Sequence, residues 1–397
     1  MYLSEKFSSI SPSATLAIDS KFKAMKANGE DVVGFGAGEP DFPTPQHIKD
    51  AAIEAINQDF TRYTPASGTL ELKKAVCEKF KRDNGLIYTP DQIVISNGAK
   101  HSLNNVFGAI LNPGDEVIIP APCWVSYPEM VRLADGVPVI VNATEEEGFI
   151  PSAAKIEAAI TDKTRAIIIN NPSNPTGMCF DEAVLREVAE LCAQKGIYIV
   201  ADEIYESLIY DGKKNISVAS ISDKVKEMTI LVNGVSKTYA MTGWRIGYTA
   251  SDAKIAKVMS NVQSHATSNP NSIAQRAAVA ALNGPTDEIE KMAKAFEERR
   301  NYMVERMNSI EGVSCKKPDG AFYIMSNISK LIGKSIDGVT ITGSDSFAEL
   351  FLEKEKVAVV PGKSFGTDIH TRWSYATSME NIKTGLDRLE KFVARLK

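Results

Sequence analysis

The sequence predicts an α/β protein in which a large domain, built on a mostly parallel sheet flanked by helices, is joined to a smaller α+β domain. Two observations support this prediction. The chain has 397 residues, which is more than a single hydrophobic core usually organises. From about Pro45, short runs rich in valine and isoleucine alternate with segments of helical periodicity, a pattern typical of crossover units in a parallel sheet.

Six apolar runs are the strand candidates of the large domain. Each is dense in β-branched residues, as expected of strands that are buried on both faces. They are QIVIS (92–96), DEVIIP (115–120), VPVIVN (137–142), RAIIIN (165–170), IYIVAD (197–202) and MTILVN (228–233). Between the fourth and fifth runs, DEAVLREVAELCAQKG (181–196) predicts a helix, because an acidic cap opens it, Gly196 closes it and apolar residues recur every three or four positions.

The pattern changes near Thr286, which indicates a second domain. A long charged helical segment, EIEKMAKAFEERRNYMVERM, is followed by AFYIM, a helix around SFAELFLEKE, and the short runs VAVVPG and RWSYAT. We expect residues 46–290 to form the large domain and residues 1–45 together with 291–397 to form the small one. A two-lobed enzyme that closes on its substrate can lend both chain ends to the mobile lobe.

Composition excludes several classes of protein. Hydrophobic residues make up 44% and charged residues 24% of the chain, the balance of an ordinary soluble globular protein. The net charge of -5 is spread without long runs of one sign, so we expect a small-molecule partner rather than nucleic acid or membrane. The five cysteines are scattered and include no CxxC pair, which is typical of reduced thiols. We find no export signal and no long apolar run, so we expect a cytoplasmic protein. The four separated histidines have no metal-ligand spacing.

The chemically informative residues lie just beyond the ends of predicted strands, where doubly wound sheets place their ligands. Asp202 ends the run IYIVAD, and a buried carboxylate is costly unless it meets a cation or a hydrogen-bond donor. A protonated pyridine nitrogen would be such a partner, and Tyr205 could reach the same ligand. The alternative is that Asp202 only caps a helix.

Three further features have both a functional and a structural interpretation. Lys237 lies in a Gly/Ser turn with Arg245 eight residues later, so it is either a desolvated, nucleophilic lysine or an ordinary solvated one. The turn SNGAK (96–100) could hold a phosphate on its free backbone N–H groups, or simply begin a helix. Trp124, in a Pro-rich turn, could stack on a heterocycle or belong to the core.

Seven segments, in order and at compatible spacings, resemble the class I aminotransferases, in the aspartate aminotransferase branch of pyridoxal-phosphate enzymes of fold type I. The resemblance covers essentially the whole chain. It implies a seven-stranded sheet in the large domain, pyridoxal 5'-phosphate as the cofactor, and a homodimer. The segments are AGEPDFPTP, RYTPASGTLELKKAV, PCWVSYPEM, NNPSNPTG, ADEIYE, VNGVSKTYAMTGWRIGY and RWSYATS.

The resemblance implies a role for each residue around the cofactor ring. Lys237 would carry the cofactor as a Schiff base, the internal aldimine, and would then move the proton between substrate and cofactor. Asp202 would keep the pyridine nitrogen protonated, so that the ring acts as an electron sink. Asn174 and Tyr205 would hydrogen-bond the ring oxygen, and Trp124 would stack on the ring.

The resemblance also implies a phosphate site. Its members would be Arg245, the backbone of Gly98, Ala99 and Lys100, and Tyr63 reaching over from a neighbouring subunit. Many relatives carry a phosphate-binding serine three residues before the lysine, where this chain has Gly234. Whether Ser236, immediately before the lysine, takes over that contact is left open.

For the substrate, the resemblance implies that Arg372 clamps the α-carboxylate with its planar guanidinium group, next to Trp124 and Asn174. Gly38 would let the N-terminal segment close over the substrate by backbone contact. An acidic side chain would be read by Lys100, Ser13 and Thr15; the alternative for Lys100 is a side chain that faces solvent.

These implications give an expected reaction. We expect reversible amino transfer between L-aspartate and 2-oxoglutarate, giving oxaloacetate and L-glutamate with ping-pong kinetics. Aminotransferases for aromatic, prephenate or alanine-type substrates, and a carbon–sulfur lyase on the same fold, remain alternatives. A transcription regulator that has borrowed the fold is disfavoured, because the chain has neither spare length nor a basic segment for DNA binding.

Overall fold

The computed structural model describes residues 2–10 and 14–397, apart from the side chains of residues 14–17 and 19. Within these ranges there are fourteen α-helices and fifteen β-strands. The helices are α1 (Glu5–Ser8), α2 (Ala14–Ala27), α3 (Gln46–Asn57), α4 (Leu70–Asn84), α5 (Ala99–Ile110), α6 (Ser126–Leu133), α7 (Ala153–Ala158), α8 (Glu182–Gln194), α9 (Asp223–Met228), α10 (Ala253–Ala266), α11 (Ser272–Asn283), α12 (Asp287–Ser309), α13 (Ser344–Glu355) and α14 (Met379–Ala394). The strands are β1 (Val33–Gly34), β2 (Ile93–Ser96), β3 (Glu116–Ala121), β4 (Val137–Asn142), β5 (Thr164–Asn170), β6 (Tyr198–Asp202), β7 (Thr229–Gly234), β8 (Gly247–Ala250), β9 (Ser314–Cys315), β10 (Tyr323–Asn327), β11 (Ser335–Ile336), β12 (Val339–Thr340), β13 (Val357–Ala358), β14 (Val360–Pro361) and β15 (His370–Ser374).

Seven strands form the main sheet in the order β2-β8-β7-β6-β5-β3-β4, which confirms the predicted mostly parallel sheet. Of these strands, β8 runs antiparallel to both of its neighbours. The six predicted runs are all strands, with ends that differ from the prediction by at most one residue. The seventh strand, β8, was not among them, because its sequence GYTA is short and opens on a glycine, which weakens the strand signal.

The central strand β6 explains why the predicted runs lack an alternating pattern. Ile199 and Ala201 pack in a cluster on one face of the sheet, whereas Val200 packs in a different cluster on the other face. All three side chains are fully buried. Helices therefore cover both faces, as expected for a parallel sheet.

Helix α8 confirms the helix predicted over 181–196. The Asp181 side chain accepts a hydrogen bond from the backbone N–H of Ala183 at 2.9 Å, which caps the first turn. Gly196 follows the last turn with φ of 70°, a conformation that glycine adopts without strain.

The C-terminal part of the chain forms its own four-stranded sheet, in the order β14-β15-β10-β9. The N-terminal segment joins this part, because β1 pairs in parallel with β13 through Val33 opposite Val357. Phe35, Phe296 and Trp373 are fully buried in one shared hydrophobic cluster. This packing holds β15, the strand that carries Arg372, against the N-terminal segment.

None of the helices within residues 2–10 and 14–397 is both long enough and apolar enough to cross a membrane.

Candidate active site

A cavity of about 460 Å³ lies where β5 and β6 end. The last residues of these two strands, Asn170 and Asp202, are paired in register and both line the cavity. Eleven of the residues selected from the sequence line it as well. They are Gly38, Ala99, Lys100, Trp124, Asn174, Asp202, Tyr205, Ser236, Lys237, Arg245 and Arg372.

Asp202 is the buried carboxylate of the cavity floor. The Tyr127 hydroxyl donates to its Oδ2 at 2.8 Å, and the backbone N–H of Ile204 donates to its Oδ1 at 3.3 Å. Burial raises the pKa of Asp202 to about 6, although these two donors and the Lys237 charge oppose the rise. The alternative in which Asp202 caps a helix is not observed, since residues 203–207 are not helical. A carboxylate held this way is ready for a cation in the cavity.

Lys237 brings its amino group to the same cavity. Burial lowers the pKa of this amine to about 8, and the nearby Arg245 and Arg372 cations act in the same direction. Its Nζ contacts the carbonyl oxygen of Gly38 and lies 6.0 Å from the centre of the Tyr205 ring. The neutral fraction of this amine near neutral pH is therefore larger than that of an exposed lysine, and the neutral form is the one that attacks a carbonyl carbon.

An anion cradle lies at the N-terminus of α5. Gly98 precedes the helix with φ of 87°, and a Cβ at this position would lie 2.4 Å from Nη2 of Arg245. Arg245 donates from Nη1 to the carbonyl of Thr242 at 2.8 Å, so its guanidinium group is fixed beside the free N–H groups of the helix. The helix terminus and the arginine together could hold an anion such as a phosphate.

The departure at Gly234 has a packing explanation. A Cβ there would lie 2.9 Å from the carbonyl oxygen of Ile246 and 3.0 Å from Cα of Gly247, so a side chain at this position would require the backbone to move. Ser236 is buried and lines the cavity. A serine at 234 therefore does not fit without a shift of the backbone, whereas Ser236 lies at the cavity.

Arg372 is fully enclosed next to the cavity. Its Nη1 donates to Oδ1 of Asn174 at 3.0 Å and its Nη2 donates to the carbonyl of Gly36 at 2.9 Å. Its Nε is buried and has no protein partner among the described residues. The guanidinium group also stacks on Tyr323, at 4.5 Å from the ring centre. The protein thus uses two of the five N–H donors of this buried cation, and Nε is among the donors without a partner in the described part of the chain.

The structure places some, but not all, of the residues expected to bind the substrate side chain, and it also places Tyr63. Lys100 keeps part of its length in solvent, but its Nζ lies 4.9 Å from the centre of the Trp124 ring and lines the cavity. Ser13 lies outside the described residues, and Thr15 lies in α2, where its side chain is not described. Tyr63 is 92% exposed and does not line this cavity.

Several residues of the site were not selected from the sequence. Asn170 donates from Nδ2 to the carbonyl of Asp202 at 2.9 Å and accepts from the backbone N–H of Asn174 at 2.7 Å, so it ties the two loops together. The Tyr323 hydroxyl lies 3.0 Å from the Tyr205 hydroxyl. The others that line the cavity are Lys23, Gly36, Ala37, Glu39, Ser126, Tyr127, Ile204 and Thr242. Most of them lie inside the quoted motifs or end a predicted strand, and this position was the signal that could have identified them. The signal was not enough, because their contacts join distant parts of the chain.

The family of the chain follows from comparison with known proteins. The family model described as aminotransferase class I and II matches residues 30–389. The chain belongs to the class I and II aminotransferases.

Relatives of this aminotransferase match it from end to end. It is 50% identical over 395 residues to the aspartate aminotransferase of Bacillus subtilis (strain 168), with 100% of each chain covered. It is 46% identical to the aspartate/prephenate aminotransferase of Cereibacter sphaeroides, covering 100% of this chain and 99% of that one. Among solved structures, the aspartate aminotransferase from Rhizobium meliloti is 44% identical with a TM-score of 0.96, and each chain is covered completely.

Aminotransferases of this family use pyridoxal 5'-phosphate, which is a pyridine ring with an aldehyde and a phosphate. The described residues suit each of these groups. The Asp202 carboxylate suits a protonated ring nitrogen, the Lys237 amine suits the aldehyde, and the cradle beside Gly98 suits the phosphate. Across the part of the chain that the structure describes, no three His, Cys, Asp or Glu side chains gather in a metal-binding arrangement.

Replacing Asp202 with asparagine tests whether the buried carboxylate destabilises the cofactor-free protein. Because burial raises the pKa of Asp202 from 3.8 to about 6, the folded state binds this proton more tightly than the unfolded state, and stability falls as the pH rises through that interval. We expect cofactor-free Asp202→Asn protein to be more stable than its parent above pH 6, by up to about 3 kcal/mol. The two should converge below about pH 4.

Urea denaturation of both cofactor-free proteins between pH 4 and pH 8 makes this measurement. Tyr127→Phe is the matched control, because it removes the phenol donor but keeps the carboxylate. A difference between Asp202→Asn and its parent that is constant with pH would contradict the expectation.

Proposed function

We propose that this aminotransferase transfers the amino group between L-aspartate and 2-oxoglutarate, giving oxaloacetate and L-glutamate in a ping-pong reaction. The observation that carries the proposal is the meeting, in one cavity, of the Lys237 amine, the buried Asp202 carboxylate and the Arg372 guanidinium group. The names of the full-length relatives support aspartate as the donor.

The chain's own residues would hold the cofactor as follows. Asp202 would pair with the ring nitrogen, Asn174 and Tyr205 would hydrogen-bond the ring oxygen, and Trp124 would lie against the ring. The phosphate would be held by Arg245, by the backbone of Gly98, Ala99 and Lys100, and by Ser236. Bound in this way, the cofactor supplies an electron sink that weakens the bonds at the substrate α-carbon.

Lys237 would form the covalent link to the cofactor aldehyde and afterwards act as the acid and base of the reaction. A pKa near 8 places its amine close to the working pH, so it can both accept and return a proton at the substrate α-carbon. The Glu39 carboxylate raises this pKa and opposes the lowering by burial. The balance between these effects keeps the amine available in both protonation states.

Arg372 would orient the substrate through its α-carboxylate. Arg372 lines the cavity and has N–H donors that no protein group uses, so donors remain for this contact. Asn174 fixes the guanidinium plane through its Oδ1. Leaving a buried cation with an unused donor costs free energy that a carboxylate ligand would recover. The backbone of Gly38, which already contacts Lys237, would close the cavity above the substrate.

The distal carboxylate of aspartate would meet Lys100. Its ammonium group lies over the Trp124 ring at the cavity, and burial together with Arg245 lowers its pKa. A flexible lysine can also withdraw from an uncharged side chain, so the same site can take more than one donor. Ser13 and Thr15 complete the proposed set.

We propose three further properties of the whole protein. Residues 46–290 would form the large domain, and residues 1–45 with 291–397 the small one, which the pairing of β1 with β13 supports. A homodimer would place the exposed Tyr63 at the neighbouring phosphate site. The composition supports a cytoplasmic location.

Turnover assays with the purified enzyme test the proposed reaction. We expect robust transfer from L-aspartate to 2-oxoglutarate, with the parallel double-reciprocal lines of ping-pong kinetics. Alanine, aromatic donors and prephenate serve as comparison substrates in the same assay. Absence of turnover with aspartate beside robust turnover with one of these would overturn the acidic preference, and release of pyruvate or ammonia from a sulfur amino acid without a keto acid would indicate a lyase.

Lys100→Ala tests the recognition of the distal carboxylate. Because only an acidic donor carries that group, we expect kcat/KM for aspartate to fall about 10- to 100-fold, as for the loss of a charge-assisted hydrogen bond, and to fall less for an aromatic donor. The measurement is kcat/KM for both donors. Equal losses on both donors would remove Lys100 from recognition.

Lys23→Ala is the companion variant, because Lys23 also lines the cavity and, unlike Lys237, has no proposed bond to the cofactor. If the selective loss appeared in this variant and not in Lys100→Ala, Lys23 would be the residue that reads the distal carboxylate.

A further inference from the structure

A buried polar network lies on the far side of the turn that carries Asp202 and Tyr205. We call it the Glu206 network; its members are Lys79, Asn84, Glu203, Glu206 and Asn233. None of these five residues lines the cavity. The turn therefore presents two of its side chains to the site and two, Glu203 and Glu206, to this network.

Glu206 is the centre of the network. Its Oε1 accepts a hydrogen bond from Lys79 and another from Nδ2 of Asn233 at 2.6 Å, and its Oε2 accepts from Nδ2 of Asn84 at 2.8 Å. The side chains of Glu206 and Lys79 are only 7% and 5% exposed. Both oxygens of a nearly buried carboxylate are thus satisfied by two elements, α4, which carries Lys79 and Asn84, and β7, which carries Asn233.

Within the network, Lys79 forms its ion pair with Glu206. Glu203 accepts from the Ser217 hydroxyl and the Val218 backbone N–H on Oε1, whereas its Oε2 is buried without a partner among the described residues. Burial, and then the Glu206 carboxylate, raise the pKa of Glu203, which favours its neutral form. Lys79 is accordingly the counter-ion of Glu206.

Asn233 continues the network toward Lys237. Its Oδ1 accepts from the backbone N–H of Gly234 at 2.7 Å, at the last residue of β7 and three residues before Lys237. Glu206 itself follows Tyr205 directly. A single chain of hydrogen bonds therefore runs from the turn that holds Tyr205 to the turn that holds Lys237.

We propose that Glu206 is a positioning residue that, through Asn233 and with Lys79 as its counter-ion, fixes the Tyr205 turn against the Lys237 turn. This inference rests on the proposed roles of Tyr205 and Lys237. A buried ion pair of this kind is a poor source of stability, since the desolvation of both charges offsets their attraction. Its defined geometry is what it contributes, because small displacements of catalytic groups have large effects on rate.

The test is Glu206→Gln in the full-length enzyme loaded with pyridoxal 5'-phosphate. We expect kcat with aspartate to fall about tenfold or more, as for misplaced catalytic groups, with KM nearly unchanged. The dissociation constant for the cofactor should rise several-fold, and the pH midpoint of the cofactor absorbance band should shift by about half a unit. The last two readouts do not depend on turnover.

Glu355→Gln is the matched control. Glu355 is 5% exposed and accepts from Lys391 at 3.1 Å and from Arg395 at 2.6 Å, so it is also a buried carboxylate with cationic partners, but it lies in α13 and does not line the cavity. We expect both Glu355→Gln and Glu206→Gln to lower the thermal midpoint of unfolding. Glu355→Gln should leave kcat, cofactor affinity and the absorbance midpoint as in the parent. If Glu206→Gln matched this control in all three, the positioning role would be overturned.

Asn233→Ala keeps the test decisive if Glu206→Gln does not fold. This variant breaks the same connection without changing any charge, so we expect the same fall in kcat and the same shift in the absorbance midpoint. Parent values for both would reject the proposal. A parent enzyme that bound no cofactor at all would instead reject the proposed function, so the two failures are distinguishable.

Discussion

A carboxylate buried without a permanent cation organises this site. Asp202 is 3% exposed, and its hydrogen bonds come from a phenol and a backbone amide, neither of which carries a charge. Burial therefore raises its pKa to about 6, because the ionised carboxylate loses hydration that it would have in water. Such a cost is tolerable when a cationic ligand offsets it, and a protonated pyridine ring is a ligand of that kind. Strongly shifted pKa values are common at functional sites, and the shift at Asp202 fits this pattern.

The cationic side chains of the cavity, Arg372 and Lys237, are also buried at a cost in free energy. Arg372 is enclosed, yet the protein uses only two of its five N–H donors, and burial has lowered the pKa of the Lys237 amine to about 8. The unused donors favour a carboxylate ligand, and the lowered pKa favours reaction with a carbonyl group. Each of these three side chains is costly to bury alone, and each has a complementary group in the ligands: the ring nitrogen for Asp202, the substrate carboxylate for Arg372 and the cofactor aldehyde for Lys237. In our proposal, the Glu206 network then fixes the turn that carries Asp202 and Tyr205 against the turn that carries Lys237.

Much of the fold could be predicted from the sequence, because inner strands of the main sheet such as β6 and β7 are buried on both faces and so are almost purely apolar. The strand β8 could not, since GYTA is short and its antiparallel direction depends on pairing with β7 and β2. Residues that act through a single local motif, such as Lys237 and Asp202, were selected correctly as members of the cavity. Tyr127, Asn170 and Tyr323 were not, because their importance lies in contacts with residues far along the chain. Residues 11–13, which include Ser13, lie outside the described ranges, so the recognition of an acidic side chain stays a prediction.

The central claim is that the amine at position 237 carries the cofactor, and borohydride reduction followed by peptide mapping tests it most directly. Reduction makes the link between amine and cofactor permanent, so mass spectrometry can locate it. The account predicts one modified peptide, with the reduced cofactor on Lys237, and no such peptide from Lys237→Ala protein treated in the same way. An unmodified Lys237 in cofactor-loaded enzyme, or a modification at another lysine, would contradict it.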